Sequence, residues 1–206
     1  MALAVERYEL GPIGTNCYVV RAEPDASEVV VFDPGADGLE LGGTTVAGIV
    51  VTHTHYDHIG AVADLAEATG APVYIGQVEA PVLANPDAYY PGFRIRPWTD
   101  VVTLTGGDDL SVGGIDFQVA DVPGHSPGHL AFYADGALFS GDVLFAGSVG
   151  RTDLPLADWG TLVESIRGLV ERFPPETIVY SGHGPETTLG IELARNPFLA
   201  ELRAGA

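Results

Sequence analysis

Short apolar runs rich in β-branched residues recur along the chain, and each is bounded by glycine, proline or aspartate. Runs of this kind between turn-forming residues are typical of buried strands. The pattern predicts strands at 16–20, 28–32, 47–51, 71–75, 117–122, 136–140 and 177–181.

Between these runs, apolar residues recur at helical spacing. Residues 59–70 place Val62, Leu65 and Ala66 on one face and predict a helix that stops at Gly70. A second helix is predicted at 158–173, where two prolines follow and end it, and a weaker pattern covers 187–198. The mixture of strands and helices predicts one layered α/β domain spanning residues 1–206. The apolar face of the second helix consists of Leu162, Ile166, Leu169, Val170 and Phe173.

A potential metal ligand follows four of the predicted strands, at the point where each strand ends. His53 follows 47–51, and the other three are His125, Asp142 and His183. Strand ends are rigid supports, and the nearby glycines let the backbone approach a shared centre closely. If the strands align, these side chains meet at one edge of the fold.

The stretch THTHYDH at 52–58 holds three of the six histidines of the chain. His53 and His55 are two residues apart, so an extended turn points both the same way. Asp57 and His58 come where the chain enters a helix, so they face a neighbouring point. Imidazole and carboxylate suit zinc, and two ions can share a carboxylate. We therefore predict two divalent ions, one held by His53, His55 and His125, the other by Asp57, His58 and His183, with Asp142 bridging.

Further residues are candidates to support this site. Asp33 is expected either to hold a ligand imidazole, as partners of metal-bound histidines do, or to serve only as a turn residue. His129 is expected to be a structural hydrogen-bonding residue rather than an eighth ligand. Arg151 and Asp153 are expected to form a buried ion pair that braces the site; alternatively, Arg151 meets a substrate carboxylate.

Residues 79–100 differ from the rest of the chain because they are rich in proline and aromatic residues. Long segments of this kind are often functional. This one is interpreted either as a substrate-facing flap or as a surface loop whose rings pack on the body of the protein. Tyr90 and Arg94 are its candidate substrate-binding residues, beside Arg151, and Tyr56 is expected to pack next to the site.

Composition narrows the range of partners. Apolar residues make up 46% and charged residues 18%, as in globular proteins. The net charge is −19 and all nine basic residues are arginine, so a nucleic-acid partner is not expected. The N-terminus has Glu6, Arg7 and Glu9 where a signal peptide is apolar, and no run is long enough to span a membrane. We expect a cytoplasmic protein with a small-molecule substrate, a core residue at Cys17 and no internal disulfide; a homodimer stays open.

Four stretches resemble motifs of the metallo-β-lactamase superfamily, in the order in which its members carry them. FDPG at 32–35 is also similar to an early strand–turn motif of that family. The resemblance covers most of the chain, and it implies a four-layer αββα sandwich with the metal site at one edge of two facing sheets. The four stretches are HTHYDH at 53–58, PGHSPGH at 123–129, GDVLF at 141–145 and SGHG at 181–184.

Within that superfamily, GSVGRTDLP at 147–155, TNCYVV at 15–20 and NPFL at 196–199 resemble the glyoxalase II-like hydroxyacylglutathione hydrolases, especially their short bacterial branch. This implies hydrolysis of thioesters such as S-lactoyl-thiol conjugates. A hydroxide shared by the two ions is expected to attack the carbonyl, and Asp57 is a candidate to accept the proton of the water. Zinc is the expected metal, while iron and manganese also suit mixed nitrogen and oxygen ligands.

Three alternatives stay open at this point. One is a persulfide dioxygenase, which would bind a single iron through residues equivalent to His53, His125 and Asp142. The second is a hydrolase of another ester or of a lactone. The third is a metal-stabilised binding module without catalysis, although the full ligand set argues against it.

Overall fold

Two six-stranded sheets form the centre of the molecule. The computed structural model describes residues 3–37, 39 and 41–204. In the first sheet the strands lie in chain order; the first three run antiparallel and the last four, from β3 onwards, run parallel. Its strands are β1 Ala4–Leu10, β2 Thr15–Arg21, β3 Glu28–Phe32, β4 Thr45–Val51, β5 Val73–Gly76 and β6 Val101–Leu104.

The second sheet has the order β14-β13-β10-β9-β8-β7, in which only β10 and β13 pair in parallel. Two short strands, β11 and β12, form a separate ribbon. These strands are β7 Asp109–Val112, β8 Ile115–Asp121, β9 Leu130–Ala134, β10 Ala137–Gly141, β11 Leu144–Phe145, β12 Ser148–Val149, β13 Ile178–Ser181 and β14 Thr187–Thr188.

Helices cover the outer faces of both sheets, and none of those described is long and apolar enough to cross a membrane. Single 3₁₀ turns lie at Pro86–Ala88 and Pro197–Leu199. The α-helices are α1 Tyr56–Ile59, α2 Val62–Thr69, α3 Ala80–Ala84, α4 Trp159–Arg172, α5 Leu189–Arg195 and α6 Ala200–Ala204.

Three apolar cores separate four layers. Along β3, Val29 and Val31 face the helix side while Val30 and Phe32 face the other sheet, because successive side chains of a strand alternate. Between the sheets, the Phe32 ring stacks on Phe139 with centroids 4.3 Å apart. A third core joins the second sheet to α4, α5 and α6. This confirms the predicted αββα sandwich.

The two best-predicted helices follow their sequence signals with one difference. Asp158 caps the N-terminus of helix α4, since its side chain accepts a hydrogen bond from the Thr161 amide at 2.7 Å. The helix predicted at 59–70 begins only at Val62, as α2, and Ile59 instead ends the separate helix α1, because the Ala61 amide donates to the Pro34 carbonyl and interrupts the helix. Gly60 allows this, since a Cβ there would overlap the Gly35 carbonyl oxygen. Helix α2 ends, as predicted, at a left-handed Gly70.

All seven predicted strands are present within a few residues of their predicted bounds, but several further strands were not predicted from the sequence. Strand β1 is a half-exposed sheet edge with alternating charges, so it lacks an apolar run. Strands β6 and β7 are short and partly exposed. Strand β9 is apolar, but it directly follows a segment rich in glycine and histidine, so its first residue could not be recognised from the sequence.

Candidate metal centre

Asp33, directly after β3, is hydrogen-bonded both to the residue that follows β4 and to a histidine. Its Oδ1 accepts a hydrogen bond from the Thr52 amide at 2.8 Å, and its Oδ2 accepts one from Thr52 Oγ1 at 2.7 Å. The same Oδ2 lies 2.9 Å from Nδ1 of His58. A carboxylate can only accept here, so Nδ1 donates, and Nε2 is the nitrogen left for a metal ion. Asp33 therefore orients His58 with Nε2 directed towards the neighbouring ligands.

The first group of ligand atoms comes from His53, His55 and His125. One ring nitrogen from each lies within 4.8 Å of the others, and Nε2 of His53 is 3.1 Å from Nδ1 of His55. Nδ1 of His125 donates to the Arg151 carbonyl at 2.8 Å, which leaves its Nε2 directed at the group. The structure thus brings together the three residues predicted for one ion.

The second group consists of Asp57, His58 and His183, again with one ligand atom of each within 4.8 Å of the others. Oδ2 of Asp57 lies 3.3 Å from Nε2 of His183 and 3.5 Å from Nε2 of His58. Thr15, at the start of β2, donates to the same oxygen at 2.7 Å and fixes the carboxylate. These are the residues predicted for the other ion.

Asp142 lies between the two groups. Its Oδ2 is 3.5 Å from Nε2 of His125 in the first group and 3.5 Å from Nε2 of His183 in the second. Its Oδ1 is 3.4 Å from Nε2 of His58. The predicted bridging carboxylate therefore reaches both sets of ligands.

Unpartnered polar atoms test whether these residues fit metal ions. Among the described residues, Nε2 of His58, Nε2 of His125 and Oδ1 of Asp142 are buried and have no hydrogen-bond partner. Such atoms are costly in a folded protein unless a ligand satisfies them. A third possible group contains Asp33, His53 and His58, but both oxygens of Asp33 already accept hydrogen bonds. The donor set fits two divalent cations.

Burial and neighbouring charges shift the pKa values of the clustered histidines and of Asp142. Burial lowers the pKa of His53 well below its ordinary value, and burial with the nearby His125 lowers the pKa of His55 to about 4. Burial alone would raise the pKa of Asp142, yet His58 and His183 hold it well below its usual range. Burial would lower the pKa of His58, but Asp142 and Asp33 raise it strongly. Metals bind neutral imidazoles and ionised carboxylates, so His53, His55 and Asp142 are already in the required form, while an ion at the second group would replace a proton on His58.

His129 supports the bridging carboxylate from behind. Its Nε2 accepts a hydrogen bond from the Asp142 amide at 3.1 Å, and Nδ1 faces the Leu130 carbonyl at 3.3 Å. The ring also stacks on His53, with centroids 4.5 Å apart. Both ring nitrogens are thus occupied, which matches the predicted structural role. The close packing requires Gly141, since a Cβ there would lie 2.7 Å from the His129 ring.

Glu79 belongs to the site although no sequence signal pointed to it. Its carboxylate is 3% exposed and accepts hydrogen bonds from the amide and the hydroxyl of Thr54, between His53 and His55. The other oxygen accepts from Ser126 Oγ and the Gly128 amide, both at 2.9 Å. Glu79 therefore fastens the turn at 53–58 to the loop that carries His125. In the sequence it looks like an ordinary residue before a short helix.

The predicted ion pair of Arg151 and Asp153 is present, with distances of 2.7 and 2.8 Å, but it is not buried. The two side chains are 63% and 70% exposed, so the expectation of a buried brace is wrong. The guanidinium extends into solvent, while the backbone carbonyl of Arg151 faces inward and holds His125. The carbonyl of Arg151 thus supports His125, and the residue also lines the cavity next to the ligand groups.

A cavity of about 600 Å³ opens onto the ligand groups. His55, Asp57, His125, Asp142 and His183 line it, together with Tyr90 and the Tyr56 ring, which stacks at a tilt 4.2 Å from Phe93. Part of the 79–100 segment thus faces the site, as the flap interpretation expects. Arg94 is exposed and does not line the cavity in the described structure.

Two sheets with clustered histidines and aspartates at one edge are the features of a metal-binding α/β protein. The profile of the metallo-beta-lactamase superfamily matches residues 10–183. The chain belongs to this superfamily.

Individual relatives support the same assignment. The chain is 36% identical to the probable metallo-hydrolase YqgX of Bacillus subtilis, over 94% of this chain and 96% of that protein. It is 32% identical to the hydroxyacylglutathione hydrolase GloC of Haemophilus influenzae, over 89% and 92% of the two chains. Both matches extend over nearly the full length of each protein.

Solved structures of similar proteins support the same superfamily assignment. BLEG-1, described as a B3 metallo-beta-lactamase, is 40% identical and superposes with a TM-score of 0.87, over 96% of this chain and all of that chain. TTHA1623, solved in a di-iron-bound form, is 42% identical with a TM-score of 0.82, over 95% and 100%. The superfamily membership and these relatives make the chain a metal-dependent hydrolase in general terms.

Proposed function

We propose that this protein is a binuclear metal-dependent hydrolase of thioesters of small hydroxyacyl groups. One observation carries the proposal: Asp142 lies 3.4–3.5 Å from imidazole nitrogens of both ligand groups, and these groups leave buried atoms unpartnered. His53, His55 and His125 would hold one ion. Asp57, His58 and His183 would hold the other. Ions bound there supply Lewis acidity and a water of lowered pKa.

The surrounding side chains suit the cleavage of an acyl–thiol bond. A thiolate is a good leaving group, so the reaction needs little general acid, and among the described residues every histidine near the site already has a ligand or supporting position. Asp57 faces the cavity, but hydrogen bonds from His183 and Thr15 overcome the effect of burial and lower its pKa to about 2. It is therefore better suited as a ligand than as a base.

The relatives support a hydrolase of this kind. GloC carries the name hydroxyacylglutathione hydrolase, and TTHA1623 holds two iron ions, which makes iron a second candidate beside zinc, with manganese a third. The net charge of −19 and a cavity of about 600 Å³ favour a small-molecule substrate over a nucleic acid.

The single-iron dioxygenase is the main alternative. It would use His53, His125 and Asp142 and would leave no role for the second group, Asp57, His58 and His183, whose ligand atoms converge within 4.8 Å. That convergence is the reason to prefer two ions.

Metal content and turnover together test the proposal. Elemental analysis of the purified protein is expected to give two metal ions per chain, and S-lactoyl thioesters are expected to be hydrolysed. Chelation is expected to abolish turnover and metal addition to restore it. Oxygen uptake with a persulfide, together with one iron per chain and no thioester hydrolysis, would establish the alternative instead.

A further inference from the structure

Exposed apolar side chains gather at the mouth of the metal-site cavity. Single exposed apolar residues are common on protein surfaces, but a cluster of them marks a binding surface. Of the ten large apolar side chains that are exposed among the described residues, five line this one cavity. They are Ile13, Val78, Tyr89, Phe93 and Leu156, with exposed fractions between 45% and 80%.

Aromatic rings continue this apolar lining down to the ligands. Tyr56 stands in the chain between His55 and Asp57, and its ring centroid lies 4.2 Å from that of Phe93 and 6.2 Å from that of Tyr90. A group held at the metal centre therefore has a continuous apolar surface beside it.

Leu156 is the most exposed residue of the cluster, and its backbone is unusual. It is 80% exposed and has φ of 67°, a conformation that branched side chains rarely adopt. Strained residues of this kind tend to occur at functional sites. The main chain here holds a large apolar side chain at the rim of the cavity, where a bound molecule would cover it.

At the mouth of the cavity, away from the two proposed ion sites, the charges are unfavourable for an anionic substrate group. Apart from the imidazoles, Arg151 is the one cation among the described lining residues, and its guanidinium donates to both oxygens of Asp153. Asp57 and Asp142 also line this space, but ions bound there would offset their charge, whereas the buried Glu79 adds a further negative charge. The chain has no lysine and a net charge of −19, so its long-range field also repels anions.

We propose that the thiol part of the substrate is uncharged and apolar, and that it lies against the cluster around Leu156. This inference rests on the proposed thioester hydrolase function and specifies the thiol class. Thiols with several carboxylates or phosphates, glutathione included, are then poor substrates: a carboxylate leaving water for the apolar cluster around Leu156 would find no unpaired cation among the described side chains there.

A matched series of thioesters separates charge from apolar contact. S-lactoyl-N-acetylcysteine is compared with its methyl ester and its benzyl ester, and S-lactoylglutathione serves as the anionic reference. Each kcat/KM is divided by the rate of hydroxide-catalysed hydrolysis, which corrects for differences between the thiols. The methyl ester is expected to exceed the free acid by about tenfold, and the benzyl ester to exceed the methyl ester by about another tenfold.

Variants of Leu156 locate the effect. Leu156→Asn keeps the size of the side chain and tolerates the positive φ, so it removes only the apolar contact. It is expected to lower the benzyl-to-methyl ratio about fivefold. Leu156→Arg adds an unpaired cation and is expected to raise the corrected kcat/KM of the free acid to that of the methyl ester. Ile191→Asn, on the exposed face of α5 and outside the cavity lining, is the control and is expected to leave all ratios unchanged.

The outcomes distinguish this inference from the function on which it rests. If no thioester in the series is hydrolysed, the proposed function fails and the inference fails with it. If all are hydrolysed but the free acid and S-lactoylglutathione match the esters, the function stands and the apolar-thiol inference is overturned. A lower molecular mass of Leu156→Asn in light scattering would also overturn it, since the cluster would then be a contact between two copies of the chain.

Discussion

Asp33 and His58, 25 residues apart in the chain, are joined by a buried hydrogen bond of 2.9 Å between Oδ2 and Nδ1. The bond fixes the tautomer of His58 and leaves its Nε2 unpartnered beside Asp57 and Asp142. Partners of this kind around metal-bound histidines typically contribute ten- to a hundredfold, on the order of 1–3 kcal/mol, to metal affinity or activity. Asp33 thus acts on the second ligand group without belonging to it.

We expect Asp33→Asn to weaken metal binding at the second group by roughly tenfold or more, because an amide is a weaker acceptor and carries no charge. Competition with a chromophoric chelator measures the loss. Asp25→Asn, at an exposed position, is the matched control and is expected to bind like the unmodified protein. Equal affinities for Asp33→Asn and Asp25→Asn would show that Asp33 only forms a turn.

Glu79 gives a prediction about stability as well as activity. Its carboxylate satisfies two donors of Thr54 and two more at Ser126 and Gly128. Glu79→Ala would leave these donors in a buried space, and a loss of roughly 2–4 kcal/mol in the free energy of unfolding is expected, since each buried unsatisfied group costs about 1–3 kcal/mol. Urea unfolding of metal-free protein measures it without a contribution from the ions.

Two further variants show whether Glu79 also positions the ligands. Glu79→Gln keeps the volume and part of the hydrogen bonding, so a smaller loss of stability is expected, with kcat lowered more than KM is raised. Glu171→Gln, exposed on α4, controls for the change in net charge. If Glu79→Gln loses stability but keeps the kcat of the unmodified protein, Glu79 supports the fold alone.

The sequence was sufficient to predict which residues cluster, because four of the candidate ligands follow apolar strands, and strand ends can be recognised from the strand pattern. The candidates His53, His125, Asp142 and His183 lie together where the ends of β4, β8, β10 and β13 place them. The apolar run from Val29 to Phe32 likewise predicted a strand, and Gly70 predicted a helix end.

What the sequence could not reveal are contacts between side chains far apart in the chain. The hydrogen-bond partners of Glu79 lie 25, 47 and 49 residues away, and nothing local to Glu79 distinguishes it. The Arg151 carbonyl that supports His125 is a main-chain group, and the amino-acid type at position 151 does not reveal where that group points. The break between α1 and α2 depends on a hydrogen bond from Ala61 to Pro34, in a different part of the fold.

Cys17 is expected to resist thiol reagents in the folded protein. It is fully buried in the core between β2 and the helices, and burial raises the pKa of its thiol well above the ordinary range. The reactive form is the thiolate, which is therefore scarce as well as inaccessible. Ellman's reagent should detect no thiol under native conditions and one per chain in guanidinium chloride. Rapid labelling of the native protein would contradict the placement of Cys17 in the core.

Gly182 lets the chain pass beside the bridging carboxylate. A Cβ at this position would overlap Oδ1 of Asp142 and lie 2.7 Å from Cε1 of His58, so no side chain fits without moving a ligand. Gly182→Ala is expected to bind fewer metal ions per chain and to lose at least about tenfold in kcat/KM, since catalytic geometry tolerates little displacement. Elemental analysis and thioester hydrolysis measure the two effects.

Gly168→Ala provides the matched control for the same chemical change. Gly168 lies in the middle of α4, and a Cβ there would meet nothing within 4 Å. Alanine is the better helix former by roughly 0.5–1 kcal/mol, so this variant is expected to be slightly more stable with unchanged metal content. The contrast assigns the loss in Gly182→Ala to crowding at Asp142. Full metal content and activity in Gly182→Ala would mean that Asp142 can move without disturbing the ions. The position of Asp142 between the two groups would then not be needed for metal binding or catalysis.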